Sequence, residues 1–191
     1  MYIEKPSVLS RLKDVRTKSV LDLACGEGNY ARMLRERRAA YVLGVDISEK
    51  MIAEARWVEQ KQPLGIKYLV RDVRMLEQVG WFDIATAVYM FPHAQTKQDL
   101  VDMAQGISKN LKPNGQLIAL TSNPAITARH LAAPEKYGVC ISVEGPIQEG
   151  ALLRVNYPGI QNGHPIDILN YHWSTETYEQ ALKKAGFHQI Q

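Results

Sequence analysis

The chain has 191 residues, 46% of them hydrophobic and 23% charged, with a formal net charge of +3. This fits one globular domain with its own core. No apolar run approaches the ~20 residues of a membrane helix, and residues 1–19 scatter five cations where a secretory signal would carry an apolar core. Cys25 and Cys140 lie too far apart for a disulfide framework or zinc spacing, so a cytoplasmic setting is expected, with no metal.

In chain order, strand and helix signals alternate. Ser19 to Leu23 reads as a strand and Asn29 to Arg38 as a helix, with Tyr30, Met33 and Leu34 at helical spacing. Tyr41 to Val45 is a second strand and Glu49 to Gln60 a second helix capped by Ser48. Ile66 to Val70 and Phe82 to Val88 follow as strands three and four. Lys97 to Asn110 is a helix capped by Thr96. The turn Lys112-Pro113-Asn114-Gly115 leads into strand five, Gln116 to Leu120. This order predicts an α/β domain, a Rossmann-like doubly wound, mostly parallel sheet with helices on both faces.

After Leu120 the rhythm breaks. Residues 121–171 hold five prolines and five glycines, with strand-like runs at 139–143, 152–157 and 166–171. This reads as an insertion or cap on the substrate side of a single domain, with 19–120 as the cofactor-binding core and 121–173 as the cap. Ser174 or Thr175 caps a last helix, stopped by Gly186. Phe187 to Ile190 reads as the start of one more strand.

The stretch from Val20 to Ala31 is a strand, a glycine loop and a helix start. Gly26 and Gly28 let a ligand approach the backbone. The spacing also fits a dinucleotide pattern, but Asp22 and Glu27 would repel a pyrophosphate. They suit a ligand carrying an ammonium and a sulfonium, as S-adenosylmethionine does. Asp46 ends strand two, where an acid accepts hydrogen bonds from both ribose hydroxyls. Ile47 and Met51 are placed to pack on an adenine, or else belong to the core. Asp72 and Val73 follow strand three, where they meet the adenine edge or form a surface Arg–Asp turn.

Together these residues resemble the class I S-adenosylmethionine-dependent methyltransferases. Residues 22–28, 44–48, 71–73, 82–94 and 111–117 stand in the order and spacing of five of their motifs. The first motif together with Asn170-Tyr171-His172-Trp173 is similar to methyltransferases of the toxoflavin-synthase type, which methylate ring nitrogens. The resemblance implies that Asp22, Ala24, Gly26 and Gly28 hold the methionine part, Asp46, Ile47 and Met51 the ribose and adenine, and Asp72 and Val73 the adenine edge. Tyr89 would lie beside the methyl donor. It also implies helices ahead of strand one and a terminal hairpin of strands six and seven. Only 18 residues precede Ser19, and the chain stops where strand six begins. An uncovered sheet edge of this kind favours a homodimer.

Methyl transfer needs alignment and exclusion of water rather than a protein nucleophile. His93 is the leading base candidate, with a structural histidine as its alternative, and Tyr89 stands next to it in the catalytic set. Phe91, Asn123, Tyr171, His172 and Trp173 are the substrate-side candidates, Tyr171 and Trp173 as a sandwich for a planar acceptor. His130, His164 and His188 show no ligand spacing. The function expected is methyl transfer to a small planar metabolite at a heterocycle nitrogen. An RNA or protein methyltransferase and a non-catalytic cofactor-binding module are the alternatives. The cluster Arg32, Arg35, Arg37, Arg38 is too small a basic footprint to point to nucleic acid.

Overall fold

The computed structural model describes residues 4–12, 14–127, 131, 138–161 and 164–191. Helix α1 (Glu4–Arg11) comes first, then β1 (Ser19–Leu23), α2 (Asn29–Glu36), β2 (Tyr41–Asp46), α3 (Glu49–Lys61) and β3 (Lys67–Val70). A short 3-10 turn over Val73–Met75 leads to β4 (Phe82–Val88), and a second over Phe91–His93 leads to α4 (Lys97–Ser108) and β5 (Leu111–Leu120). Strands β6 (Cys140–Val143), β7 (Leu152–Gln161) and β8 (His164–Tyr171) precede α5 (Thr175–Lys184).

The first five strands form one parallel sheet in the order β3-β2-β1-β4-β5. The chain winds one way from β1 and returns to the other side of it at β4. The carboxyl ends of β1 and β4 therefore flank the crevice where ligands collect in such sheets. One apolar layer joins α1, α2 and α3 to the sheet through Val8, Leu12, Leu34 and Ile52; the opposite layer holds Leu100, Ile107, Phe91, Trp173 and Ala181.

The N-terminal segment contains a helix that its sparse apolar pattern does not announce. Val8 and Leu12, one turn apart, are both buried. Glu4 in the first turn and Arg11 in the last complement the helix dipole. Pro6 falls in the first turn, where its missing N–H costs little.

Strand five starts earlier than expected. Leu111 pairs with Phe82 and Gln116 with Ile84, so the residues between them, Lys112 to Gly115, form an irregularity inside β5. Asn114 takes a left-handed φ of 63° there. Phe187 to Ile190 is not a strand. The Phe187 N–H instead bonds the Leu182 carbonyl and closes α5, while the ring packs against the core.

The predicted cap is a second, antiparallel sheet in the order β6-β7-β8. Its register puts Ile141, Val155 and Ile168 side by side, and Val143, Leu153 and Asn170 likewise. Leu153, Val155 and Asn170 are buried, which marks this as the inner face.

Candidate active site

The β1 strand carries Asp22 into the interior, where it is 1% exposed. Its Oδ1 accepts a hydrogen bond from the Thr86 hydroxyl on β4 at 2.7 Å. Its Oδ2 is buried with no partner among the described residues. Burial pushes the carboxyl up to about 7, against the opposing pull of Thr86 and the nearby Ala31 N–H. A buried carboxylate oxygen without a donor costs stability unless a ligand supplies one.

Beyond Asp22 the backbone turns sharply. Ala24 and Gly26 take left-handed φ values of 50° and 55°, and Gly28, at the N-cap of α2, takes 86°. Ala24 bears a Cβ in a conformation that disfavours one, a strain typical of ligand-binding turns. The Gly26 N–H donates to Asp46 Oδ2 at 2.8 Å, and the Ser48 N–H to Asp46 Oδ1 at 2.8 Å. Asp46 thus ties the end of β2 to the glycine loop, and each oxygen, having accepted one hydrogen bond, has the capacity for a second.

Tyr68 lies beneath this loop. Its ring fills the space over Gly44 and under Gly28, where a Cβ would come within 2.7 Å and 2.4 Å of it. The Tyr68 hydroxyl is buried without a partner among the described residues. Cys25 packs against the same ring, and burial pushes its thiol far up, which makes it a poor nucleophile.

Three large apolar side chains stay exposed at the crevice mouth: Ile47 at 64%, Met51 at 36% and Tyr89 at 41%. Tyr89 also has a left-handed φ of 55°, and its N–H bonds the Leu120 carbonyl. The structure therefore gathers Asp22, Ala24, Gly26, Gly28, Asp46, Ile47, Met51 and Tyr89 at the ends of three neighbouring strands. An orphaned acid, a glycine turn and an uncovered apolar rim thus lie together at one end of the parallel sheet.

The remaining candidates stand differently. Asp72 is gripped by Arg74, which donates to both carboxylate oxygens and also reaches Asp99. The Arg74 side chain holds the Asp72 carboxyl below its usual range, and Asp72 also caps the following turn. The Arg–Asp turn is thus formed, with Arg74 as the partner. Val73 is buried in the core. Phe91 is buried and packs edge-on against Tyr178 at 6.2 Å, so its ring serves the core rather than a substrate. Trp173 is 4% exposed, and its Nε1 donates to the Ala94 carbonyl at 3.0 Å. It leaves no open face for the expected sandwich, because the core takes both sides of the indole. Tyr171 is half-buried against the same core, and His172 bonds through its backbone to Ala151 and Gly150. Asn123 spends its side chain on a turn with the Ala125 N–H. His93 is exposed at the end of the second 3-10 turn. His130 and the side chain of His164 lie outside the described residues. Of the four arginines, Arg32 pairs with Glu59 and Arg35 bonds the Leu64 carbonyl, so two of the four cations are committed inside the fold. Arg37 and Arg38 help line a surface cavity of about 330 Å³ with Asp14 and Arg16, at the far end of β1 from the crevice.

Residues 20–115 match the family described as a methyltransferase domain. The chain belongs to that family. A ubiquinone biosynthesis O-methyltransferase of Coxiella burnetii is 32% identical over 123 residues, 64% of this chain and 48% of its own length. The chain spans about half the length of the curated relatives it matches. An S-adenosylmethionine-dependent methyltransferase from Mesorhizobium loti superposes with a TM-score of 0.67 at 23% identity, over 97% of this chain and 81% of that one. The amino pentose methyltransferase CalS10 of Micromonospora echinaspora, with S-adenosylmethionine bound, gives 0.64 at 18% over 95% and 79%. The methyltransferase domain has the class I fold, and its described sheet carries β6-β7-β8 as a separate layer.

Sequence reasoning missed three residues that shape this site. Thr86 was invisible because its role depends on the pairing of β1 with β4, which places it opposite Asp22. Tyr68 sits inside strand three, where nothing in the spacing marks it. Glu4 opens the N-terminal helix, and its carboxylate accepts a hydrogen bond from the Tyr30 hydroxyl at 2.7 Å.

Proposed function

We propose that this domain transfers the methyl group of S-adenosylmethionine to a small planar metabolite, at a heterocycle nitrogen, as the toxoflavin-synthase likeness implies. S-adenosylmethionine, when bound, supplies a methyl carbon on a cationic sulfur. The single observation that carries the reading is Asp22: a buried acid with one unpartnered oxygen, directly below a glycine turn. Asp22 would receive the ammonium side of the ligand, Asp46 the ribose hydroxyls, and Ile47 with Met51 the adenine face. Tyr89 would border the methyl group. Its exposed phenol and the cap above it would exclude water and orient the acceptor.

Asp72 enters this reading in a lesser role, since Arg74 already occupies its carboxylate; Val73 would present backbone to the adenine edge. His93 remains the proposed base at the end of β4, with Asn123, Tyr171 and His172 as peripheral acceptor contacts. No helix among the described residues is long and apolar enough to cross a membrane. A homodimer joined along β5, which has one strand neighbour among the described residues, completes the proposal. Sedimentation at rising concentration tests it, and a constant monomer mass ends it.

The deciding experiment is calorimetry of the purified chain with S-adenosylmethionine and with NAD. Saturable heat with the first alone is expected. Asp46→Ala should weaken that binding by about 1–3 kcal/mol, as for a lost charged acceptor. Binding of NAD alone, or an unchanged affinity in the variant, would overturn the assignment.

A further inference from the structure

Three buried side-chain oxygens lack a hydrogen-bond partner among the described residues: Asp22 Oδ2, Tyr68 Oη and Asn170 Oδ1. The first two lie at and beneath the glycine loop. The third belongs to the other sheet, near the end of β8, and the cofactor site makes no use of it. Asn170 is only 8% exposed. A buried amide oxygen without a donor costs stability, so its presence on the covered face of a strand calls for a ligand that supplies one.

Backbone and side-chain contacts fix where this amide stands. Asn170 pairs with Leu153 across β7 and β8. Strand β8 packs against the 3-10 turn Phe91–His93, and three residues beyond Asn170 the Trp173 Nε1 donates to the Ala94 carbonyl at 3.0 Å. The end of β8 is thus fastened to the segment that leaves β4 just after Tyr89. Successive residues of a strand point to opposite faces. Tyr171 packs on the apolar layer that holds Phe91 and Trp173, so Asn170 points away from that layer. Leu153 and Val155, on the same face as Asn170, are buried, yet among the described residues neither belongs to either apolar layer of the parallel sheet. The inner face of the small sheet therefore stands outside both layers. At its β8 end it borders the turn after β4, with one amide oxygen set among apolar side chains.

We infer that Asn170 Oδ1 accepts a hydrogen bond from a ring N–H of the methyl acceptor, a neutral planar heterocycle of the lactam class, and so sets which edge of that ring meets the methyl group. This rests on the methyltransferase reading above. His93 keeps its place as the base, and Asn170 holds a different edge of the ring. An amide oxygen is uncharged and can only accept. It answers a ring N–H, and the carbonyl beside that N–H in a lactam is placed to meet the amide NH2. A ring whose nitrogens are already methylated leaves Oδ1 unanswered, and a carboxylate or phenolate edge sets lone pairs against it. Because the group is buried, water does not make up the difference.

The probes are lumazine, a bicyclic lactam with two ring N–H groups, and 1,3-dimethyllumazine, which has none. Each is titrated by calorimetry into the full chain saturated with S-adenosylhomocysteine, at slightly acid pH where lumazine is uncharged. Lumazine should bind about tenfold more tightly, the size of one buried hydrogen bond. Asn170→Leu, close in volume, should abolish that preference and leave S-adenosylhomocysteine affinity unchanged. Without ligand the same variant should melt about 2–4 °C higher, because an unanswered oxygen has been removed. In the unaltered protein, the Asn170 side-chain NH2 signals in proton–nitrogen correlation spectra should move with lumazine and stay in place with 1,3-dimethyllumazine. Equal binding of the two probes, binding of neither, or Asn170 signals that do not move overturns the inference and leaves the cofactor reading standing. A preference kept in Asn170→Leu overturns it too, since another group would then read the N–H. An unchanged or lower melting temperature in that variant, or its failure to fold, shows the amide to be bonded within the fold and has the same consequence. No binding of S-adenosylhomocysteine by the wild type overturns the cofactor reading and this inference with it.

Discussion

The parallel sheet and the small antiparallel sheet are specified by the sequence in different ways. At the ends of β1, β2 and β4 the chemistry dictates the residue: an acid under the turn, a glycine where φ is 86°, an acid that holds the loop by its N–H. In β6, β7 and β8 almost any apolar alternation would build the layer. What matters there is which side chain the register turns inward. The first kind of site is written in residue types and spacings. The second is written in geometry, and only the folded chain displays it.

That contrast is open to attack, and the largest effect should come from the cap. Trp173→Ala removes a buried indole and its bond to Ala94; a loss of about 3–5 kcal/mol in denaturant unfolding is expected. A loss below 1 kcal/mol would mean that the cap is only loosely docked. In the parallel sheet, Asp22 offers a pH handle. Its carboxyl is raised to about 7 in the fold, so the folded state holds the proton more tightly than the unfolded chain. The stability it contributes is complete below the ordinary carboxyl range and is lost as pH rises through about 7. Between pH 5 and pH 7 the ligand-free protein should therefore lose about 2 kcal/mol that Asp22→Asn does not lose. Parallel curves for the two proteins would show Asp22 to be solvated.

Gly44 probes the same region through shape alone. An alanine there would press on Tyr68 and Cys25, so Gly44→Ala should cost about 1–3 kcal/mol by thermal or chemical unfolding. A neutral substitution would show that Tyr68 can move aside, and the support of the glycine loop would be softer than described. The smallest expected effect lies outside both regions. Thr96 and Asp99 form a complete capping box on α4, and Thr96→Ala should cost about 1 kcal/mol with no change in ligand affinity. A change in affinity would tie α4 to the crevice.

The sequence made the five parallel strands legible because each carries an apolar run closed by a loop signal, and because Asp22, Gly26, Gly28 and Asp46 fall at fixed distances along them. It misled where one signal serves two purposes. Trp173 and Phe91 look alike whether an aromatic stacks on a ligand or fills a core, and burial decided for the core. Asp72 fits both an adenine edge and an Arg–Asp turn by its position, and Arg74, two residues away, forms the turn. Phe187 carried strand-like apolarity, which the end of α5 used instead. Glu4 could not be found at all: one acid ahead of a proline has no pattern, and its meaning arises only when α1 folds back onto Tyr30.

The buried indole of Trp173 also makes the cap visible to light. The other two tryptophans, Trp57 and Trp81, are 54% and 58% exposed, against 4% for Trp173. A water-soluble quencher such as acrylamide or iodide reaches the first two and spares the third, so the residual emission should be blue and belong to one residue. That residue is bonded to Ala94, five positions after Tyr89. Its colour is an optical gauge of whether the antiparallel layer is seated on the end of β4, readable in stopped flow during turnover without any added label.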